Sequence, residues 1–377
     1  MRFFNTVTKA LFVDRPNRFL VRCSMEGNLV SAYLPNPGRL HELLLPNRTL
    51  YLVKEPPSSK RKTHYTVVGV KKQSHNVMLH THRCNDVVRH LIEQNLVQSL
   101  SGARIKGQEV THGDSRFDFL IETRGQDVFL EVKSCTLFGE KIAMFPDAET
   151  ERGARHLREL AALAKPGAYP IVFFLVHYPQ AKFFIPDFHT DLTFSRTFIE
   201  CRDKVRYLPV AVGWDNDMNL LPGAEKLVIP WEFIEREAQD RGSYLLLMEL
   251  DHPITISVGS LGELSLKPGY YIYAGSAMSN LSDRISRHYK ENKTVHWHID
   301  TFRSHARIID DFPVRSSKRL ECELARALFS ISAYCVPDFG SSDCRCAGHL
   351  FRFKSNPLLY PEFINILQFF RIDGLIE

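Results

Sequence analysis

Arg116-Phe117-Asp118-Phe119, followed by Thr123-Arg124-Gly125-Gln126 and then Leu130-Glu131-Val132-Lys133, reads as a β-hairpin with a glycine-containing turn between two apolar runs. Residues i and i+2 of a strand share a face, so Glu131 and Lys133 point together while Leu130 and Val132 point the other way. Pairing Glu122 with Asp127 across the turn puts Asp118 directly opposite Glu131. Opposed side chains have Cβ atoms roughly 4.5–5.5 Å apart, a span over which two carboxylates can share one divalent cation. A cation held there activates water, and Lys133 neutralises charge developing on a phosphate. A solvated sheet face with a surface ion pair produces the same alternation, so the hairpin alone leaves both readings open.

The flanking sequence adds weight to the first reading. Thr150 is the expected N-cap of a helix whose buried face carries Leu157, Leu160, Ala161 and Ala164. Arg152 and His156 lie four residues apart on that helix and are candidate phosphate contacts. Ile171-Val172-Phe173-Phe174-Leu175-Val176 is a continuous apolar run of the kind covered on both faces of a sheet. Upstream, Val88, Leu91, Ile92 and Leu96 recur at helical spacing, with Glu93 on that helix as a further candidate metal carboxylate. The order helix, hairpin, helix, buried strand is that of PD-(D/E)XK nucleases.

With Leu34-Pro35-Asn36-Pro37-Gly38-Arg39-Leu40-His41-Glu42-Leu43-Leu44, Phe145-Pro146-Asp147-Ala148 and Glu151-Arg152-Gly153, the front of the chain resembles the SfsA (sugar fermentation stimulation) family. The resemblance implies an N-terminal OB-like β-barrel over 1–82, a PD-(D/E)XK nuclease-like α/β domain over 83–230, DNA binding and nuclease activity. It implies Asp118, Glu131 and Lys133 as the catalytic constellation, with Asp118 and Glu131 holding metal. Phe117 stands where the motif has proline, so the nuclease signature is degenerate.

The 377 residues predict two or three domains, and 44% hydrophobic with 24% charged residues describe a globular chain. A formal charge of +5 permits nucleic-acid binding without demanding it. No run of about 18 apolar residues and no signal-peptide core appear, so no membrane association and a cytoplasmic location are expected. Eight scattered cysteines form no disulfide framework, in keeping with reduced thiols. Strand-like runs at 18–23, 29–34, 49–53 and 65–70 predict a small barrel, with Glu55 to Lys62 as an exposed basic loop. Asn36 and Arg39 in the Pro-Gly turn are candidate nucleic-acid contacts, although a turn uses such residues for backbone reasons alone. The looser stretch from Trp214 to Gly242 reads as a linker, with Val228 to Phe233 apolar enough to pack on the nuclease-like domain.

In the last third, Gly242-Ser243-Tyr244 opens one strand and Tyr270-Tyr271-Ile272-Tyr273-Ala274-Gly275 forms another. The helix from Leu281 carries Arg284, Arg287, His288 and Lys290, and with Lys293 its cations share a broad face suited to phosphate. These pieces, with Leu320-Glu321-Cys322-Glu323-Leu324, resemble a diverged GIY-YIG nuclease fold of α+β type over 241–355, followed by a helical tail over 356–377. By position the resemblance implies Tyr244 and Tyr273 as its two tyrosines, Arg284 as its arginine and Glu321 as its metal-binding glutamate. The triplets are Gly-Ser-Tyr and Tyr-Ala-Gly, and the spacing between them is unusually long. Cys344-Arg345-Cys346 with His349, Cys335, His296 and His298 invites a zinc reading, but Cys-x-Cys lacks the usual gap of two to four residues, and zinc is not expected.

The sequence therefore predicts a multidomain α/β and α+β nucleic-acid-binding protein and Mg2+- or Mn2+-dependent phosphodiesterase. DNA is the first candidate partner and RNA is left open. The alternative is a non-catalytic DNA-binding regulator of sugar metabolism.

Overall fold

The computed structural model describes residues 1–56, 58, 61–113, 115–291, 294 and 296–375. The chain forms two compact units, Met1–Asp187 with Thr193–Trp231, and Phe188–Leu192 with Glu232–Glu377.

The first unit opens with β1 (Val7–Asn17), β2 (Leu20–Met25), β3 (Asn28–Tyr33), β4 (Thr49–Lys54), β5 (Tyr65–Lys72) and β6 (His75–Met78). Their order is β3-β2-β1-β4-β5-β6, and a parallel pairing of Ala32 with Tyr65 joins β3 to β5 and closes a five-stranded barrel. Strand β1 lies outside the runs expected from sequence. It carries Asp14-Arg15-Pro16-Asn17, turn-like residues that the ladder absorbs through two register shifts against β2. Within the expected basic loop, Pro57, Ser59 and Lys60 lie outside the described residues, and Arg61 sits over the Tyr33 ring, 4.5 Å from its centroid.

Next come α1 (Cys84–Glu93), β7 (Arg104–His112), β8 (Ser115–Thr123), β9 (Gln126–Cys135), β10 (Leu137–Phe138), β11 (Ile142–Phe145), α2 (Glu151–Ala162), β12 (Ile171–Val176), β13 (Phe183–Pro186), α3 (Leu192–Glu200), β14 (Arg206–Ala211) and β15 (Glu225–Lys226). A six-stranded mixed sheet runs β15-β14-β12-β9-β8-β7, with β9, β12 and β14 parallel. Strand β12 is buried at every position. Val172, Phe174 and Val176 enter a core shared with the barrel, α2 and α3, while Ile171, Phe173 and Leu175 enter the core under α1. Period-two alternation thus serves two apolar layers, which explains an uninterrupted apolar run.

Trp214 corrects the linker reading. It is buried, and its indole N–H donates to His177 Nδ1 at 3.2 Å. Strand β15 then extends the sheet and Phe184 N–H donates to Val228 O, so the stretch to Trp231 is part of the first unit.

The second unit contains α4 (Trp231–Glu237) from Glu232 onward, then β16 (Gly242–Leu250), β17 (Ile254–Ser257), β18 (Glu263–Leu266), β19 (Gly269–Ala277), α5 (Leu281–Tyr289), α6 (His298–Arg303), β20 (Arg307–Arg315), α7 (Glu321–Ile331), β21 (Tyr334–Val336), β22 (Leu350–Phe353) and α8 (Pro361–Arg371). An antiparallel sheet runs β20-β16-β19-β22-β21. The β17–β18 hairpin lies between β16 and β19 and accounts for the long spacing between the two tyrosine strands. Phe188–Leu192 also belongs here: Arg315 N–H donates to His189 Nδ1 at 2.9 Å and Arg371 donates to Thr190 Oγ1 at 2.6 Å. Among the described residues no helix is long and apolar enough to cross a membrane.

Candidate functional site

The β8–β9 hairpin pairs Glu122 with Asp127 and Phe119 with Leu130, the register that carries Asp118 toward Glu131. The Asp118 carboxylate accepts from the Val132 backbone N–H at 2.7 Å and from Asn85 Nδ2 at 2.7 Å. Glu131 is 6% exposed, and its Oε1 accepts from Lys133 Nζ at 2.7 Å and contacts His156 Nδ1 at 3.0 Å. Its other oxygen, Oε2, is buried with no hydrogen-bond partner among the described residues. Leaving a carboxylate oxygen dry and unpaired is costly, and a cation removes that cost.

The two carboxyls titrate in opposite directions. Burial, then the negative charge of Glu131, pushes Asp118 up to about 6, against the hydrogen bonds from Val132 and Asn85 and the charge of Lys133. Burial alone would raise Glu131 too, but the His156 hydrogen bond and the Lys133 ammonium hold it at about 2. Lys133 and His156 therefore fix one charge in place, and that charge resists ionisation of its neighbour.

Asn85 is the partner that sequence reading missed. It continues the stripe of Val88 and Ile92 by three and seven residues, a polar group on the apolar face of α1, and that placement was its available signal. Glu93 is a correction. It is exposed at the end of α1, eight residues and about 12 Å of helix beyond Asn85, so Asn85 rather than Glu93 meets Asp118. Thr150 caps α2 by accepting from the Gly153 N–H at 2.9 Å. The capped helix presents His156 to Glu131, and Arg152 Nε lies 3.3 Å from His156 Nε2 with its side chain exposed. His156 is 5% exposed, so it orients Glu131 and does not form a nucleic-acid surface.

Asn36 is a second correction. It is 5% exposed, and its side chain accepts from the Gly38 N–H at 3.0 Å, so it builds the turn. Gly38 is required there because a Cβ would fall 2.2 Å from Asp147 Oδ2. Arg39 is half-buried beside it.

In the second unit, Tyr244 Oη and His288 Nε2 share a 2.8 Å hydrogen bond, and the Tyr244 and Tyr273 rings lie 6.3 Å apart. Burial raises both phenols far above the ordinary tyrosine range, partly offset by Arg284. The Arg284 guanidinium lies 4.0 Å from the Trp297 ring centroid. The Glu321 carboxylate accepts from Ser276 Oγ on one oxygen and meets His349 Nδ1 at 3.1 Å on the other. Burial would raise Glu321, but His349, Ser276 and Arg319 hold it lower.

The expected basic face is corrected here. Helix α5 ends at Tyr289, Lys290 is its exposed C-cap, and Lys293 lies outside the described residues. His288 is fully buried against Tyr244, and Arg287 makes a two-pronged pair with Asp300 at 2.9 and 3.0 Å. Cys322, Cys344, Cys346 and His349 converge, whereas Cys335, His296 and His298 are not part of that group.

Fold and site define a multidomain α/β protein with an OB-type N-terminal barrel and a buried carboxylate pair beside a lysine and a histidine. Residues 13–79 match the model of the SfsA N-terminal OB domain, 82–218 that of the sugar fermentation stimulation protein RE domain, and 243–371 that of the domain of unknown function DUF123. The chain belongs to the sugar fermentation stimulation protein (SfsA) family. A sugar fermentation stimulation protein homolog of Methanothermobacter thermautotrophicus is 34% identical over 58% of this chain and 92% of its own length. One of Moorella thermoacetica is 39% identical over 51% of this chain and 83% of its own. The solved structure of Pyrococcus furiosus SfsA in complex with Ca2+ is similar at a TM-score of 0.54 and 27% identity, covering 59% of this chain and 95% of that one.

Proposed function

We propose that this protein is a divalent-metal-dependent nuclease whose reacting centre is built on Asp118, Glu131 and Lys133 in a PD-(D/E)XK-like domain. The observation that carries the reading is the unpartnered Glu131 Oε2 next to a neighbour whose ionisation it opposes. A shared cation relieves both conditions, and the family relative solved with Ca2+ supports hard-cation binding. Asp118 and Glu131 are the residues that would hold Mg2+ or Mn2+. Bound there, the ion would supply an activated water and a Lewis acid. Lys133, tethered to Glu131 Oε1, offers its ammonium to charge developing on phosphate, and Asn85 and His156 keep the carboxylates oriented. Arg152, exposed on α2, and the barrel supply contacts to the nucleic-acid backbone.

The second unit is read as a diverged GIY-YIG-like domain, a reading supported by the electrostatic linkage of Tyr244, Tyr273, Arg284 and Glu321. Both Glu321 oxygens already have partners, and this favours the hairpin as the seat of metal-dependent cleavage.

The test is cleavage of a panel of single-stranded, duplex and branched DNA and RNA by the full chain, with Mg2+, Mn2+ or chelator. Cleavage is expected with either metal and is expected to fall at least about 100-fold in Glu131→Ala. Binding of metal and DNA with no turnover on any substrate would replace this reading with the non-catalytic regulator.

A further inference from the structure

We propose that Cys322, Cys344, Cys346 and His349 form a structural zinc site that fastens α7 to the irregular segment between β21 and β22. Their Sγ atoms and a ring nitrogen of His349 all lie within 4.8 Å of one another. A tetrahedral zinc with sulfur ligands at about 2.3 Å needs S···S edges of about 3.8 Å and S···N edges of about 3.6 Å. The Cys344 Sγ to His349 Nε2 distance is 3.5 Å, already that edge. The remaining ligands close by at most about 1.2 Å per edge, within the reach of side-chain rotation.

The neighbours of the cluster fit the same chemistry. His349 is 1% exposed and turns Nε2 to the thiols while Nδ1 meets Glu321 Oε1 at 3.1 Å. A carboxylate on the far nitrogen is the arrangement that fixes a metal-binding histidine in its tautomer and raises its basicity. Glu321 is fixed in turn by Ser276 Oγ. All four cysteines of the region are free thiols, and three of them facing one histidine exceed what one disulfide could use. Arg326 and Arg345 line a cleft together with Cys322 and Cys346, where their positive charge offsets the surplus negative charge that three thiolates would place on one zinc. That cleft is also an entry path.

The donor set selects the ion. Three soft thiolates and an imidazole suit zinc and not the hard cations suited to Asp118 and Glu131. Four protein ligands leave no open position, which marks a structural site. Spacing along the Cys344–His349 segment cannot reveal this, because the fourth ligand comes from α7, more than twenty residues earlier in the chain. The inference is independent of the nuclease reading.

The experiment uses the reduced full chain. Zinc measured by mass spectrometry after gel filtration is expected at one equivalent, and cobalt(II) replacement is expected to show thiolate charge-transfer and intense tetrahedral ligand-field absorption. Cys346→Ser is expected to weaken zinc retention about 100-fold and Glu321→Ala about 10- to 100-fold, whereas Glu131→Ala keeps its full equivalent. Wild-type protein gives a readout that needs no variant: zinc should shield Cys322, Cys344 and Cys346 from alkylation, and chelator should expose them while Cys335 stays unchanged. Folded reduced protein holding no stoichiometric zinc, octahedral cobalt spectra, alkylation indifferent to chelator, or zinc lost with Glu131 and kept without Cys346 would each overturn the proposal.

Discussion

At the scale of single residues, Asp118 is the group whose ionisation would link stability to the proposed metal binding. Its ordinary value is 3.8 and in the fold it lies at about 6, so between these values the folded chain binds more protons than the unfolded one. Its contribution to stability therefore falls as pH rises through that window. Glu131 has the opposite sign. Held at about 2 rather than 4.5, it contributes stability that is present above 4.5 and lost as pH falls toward 2. A metal that needs both carboxylates ionised competes with one proton on Asp118. Affinity for Ca2+ or Mg2+ should thus fall about tenfold per pH unit below 6 and level off above 7, measurable by calorimetry. Asp118→Asn keeps both hydrogen bonds if Asn85 flips, because the new amide accepts from Val132 N–H and donates to Asn85. In chelator at pH 8 this variant should melt about 2–4 °C higher than wild type, with the gain shrinking toward pH 5, while losing metal affinity. A lower melting point at pH 8 would show that Asp118 is not destabilised by its neighbour.

At the scale of elements, local rules were legible where their period is short. The glycine turn set the hairpin register, and that register followed from pairing Glu122 with Asp127. Thr150 as N-cap of α2 was equally local, since a cap involves residues three positions apart. Its contribution is separable from chemistry: Thr150→Ala should lower stability by about 1 kcal/mol in urea melts while leaving metal affinity unchanged. Strand β1 was illegible for the converse reason. Its turn-forming residues 14–17 pair only because β2 runs beside them, Asp14 opposite Arg22 and Asn17 opposite Leu20, and Arg15 holds the 36–39 turn by donating to the Gly38 and Arg39 carbonyls at 2.7 Å. Tertiary pairing overrode propensity there.

At the scale of the whole molecule, the illegible parts are those joined across long stretches of chain. Asn85 reaches Asp118 from another element, Cys322 reaches Cys344 from a helix, and Phe188–Leu192 joins a unit whose remainder begins at Glu232. No periodicity encodes such meetings. Position-by-position resemblance carried Asp118, Glu131 and Lys133 to one place, whereas the further candidates Glu93, Asn36 and His288 are assigned elsewhere by exposure, burial and hydrogen bonding. The same accounting separates the two glutamates that the sequence treated alike. Glu131 keeps an oxygen without a partner, whereas Ser276 and His349 occupy both oxygens of Glu321. If cation demand follows the unpartnered oxygen, Glu131→Ala in the full chain abolishes Mg2+-dependent cleavage, and Glu321→Ala leaves its rate within about threefold while weakening zinc retention. Parallel rate and zinc measurements on the two variants decide the matter: loss of cleavage with Glu321→Ala alone would move the reacting centre to the second unit.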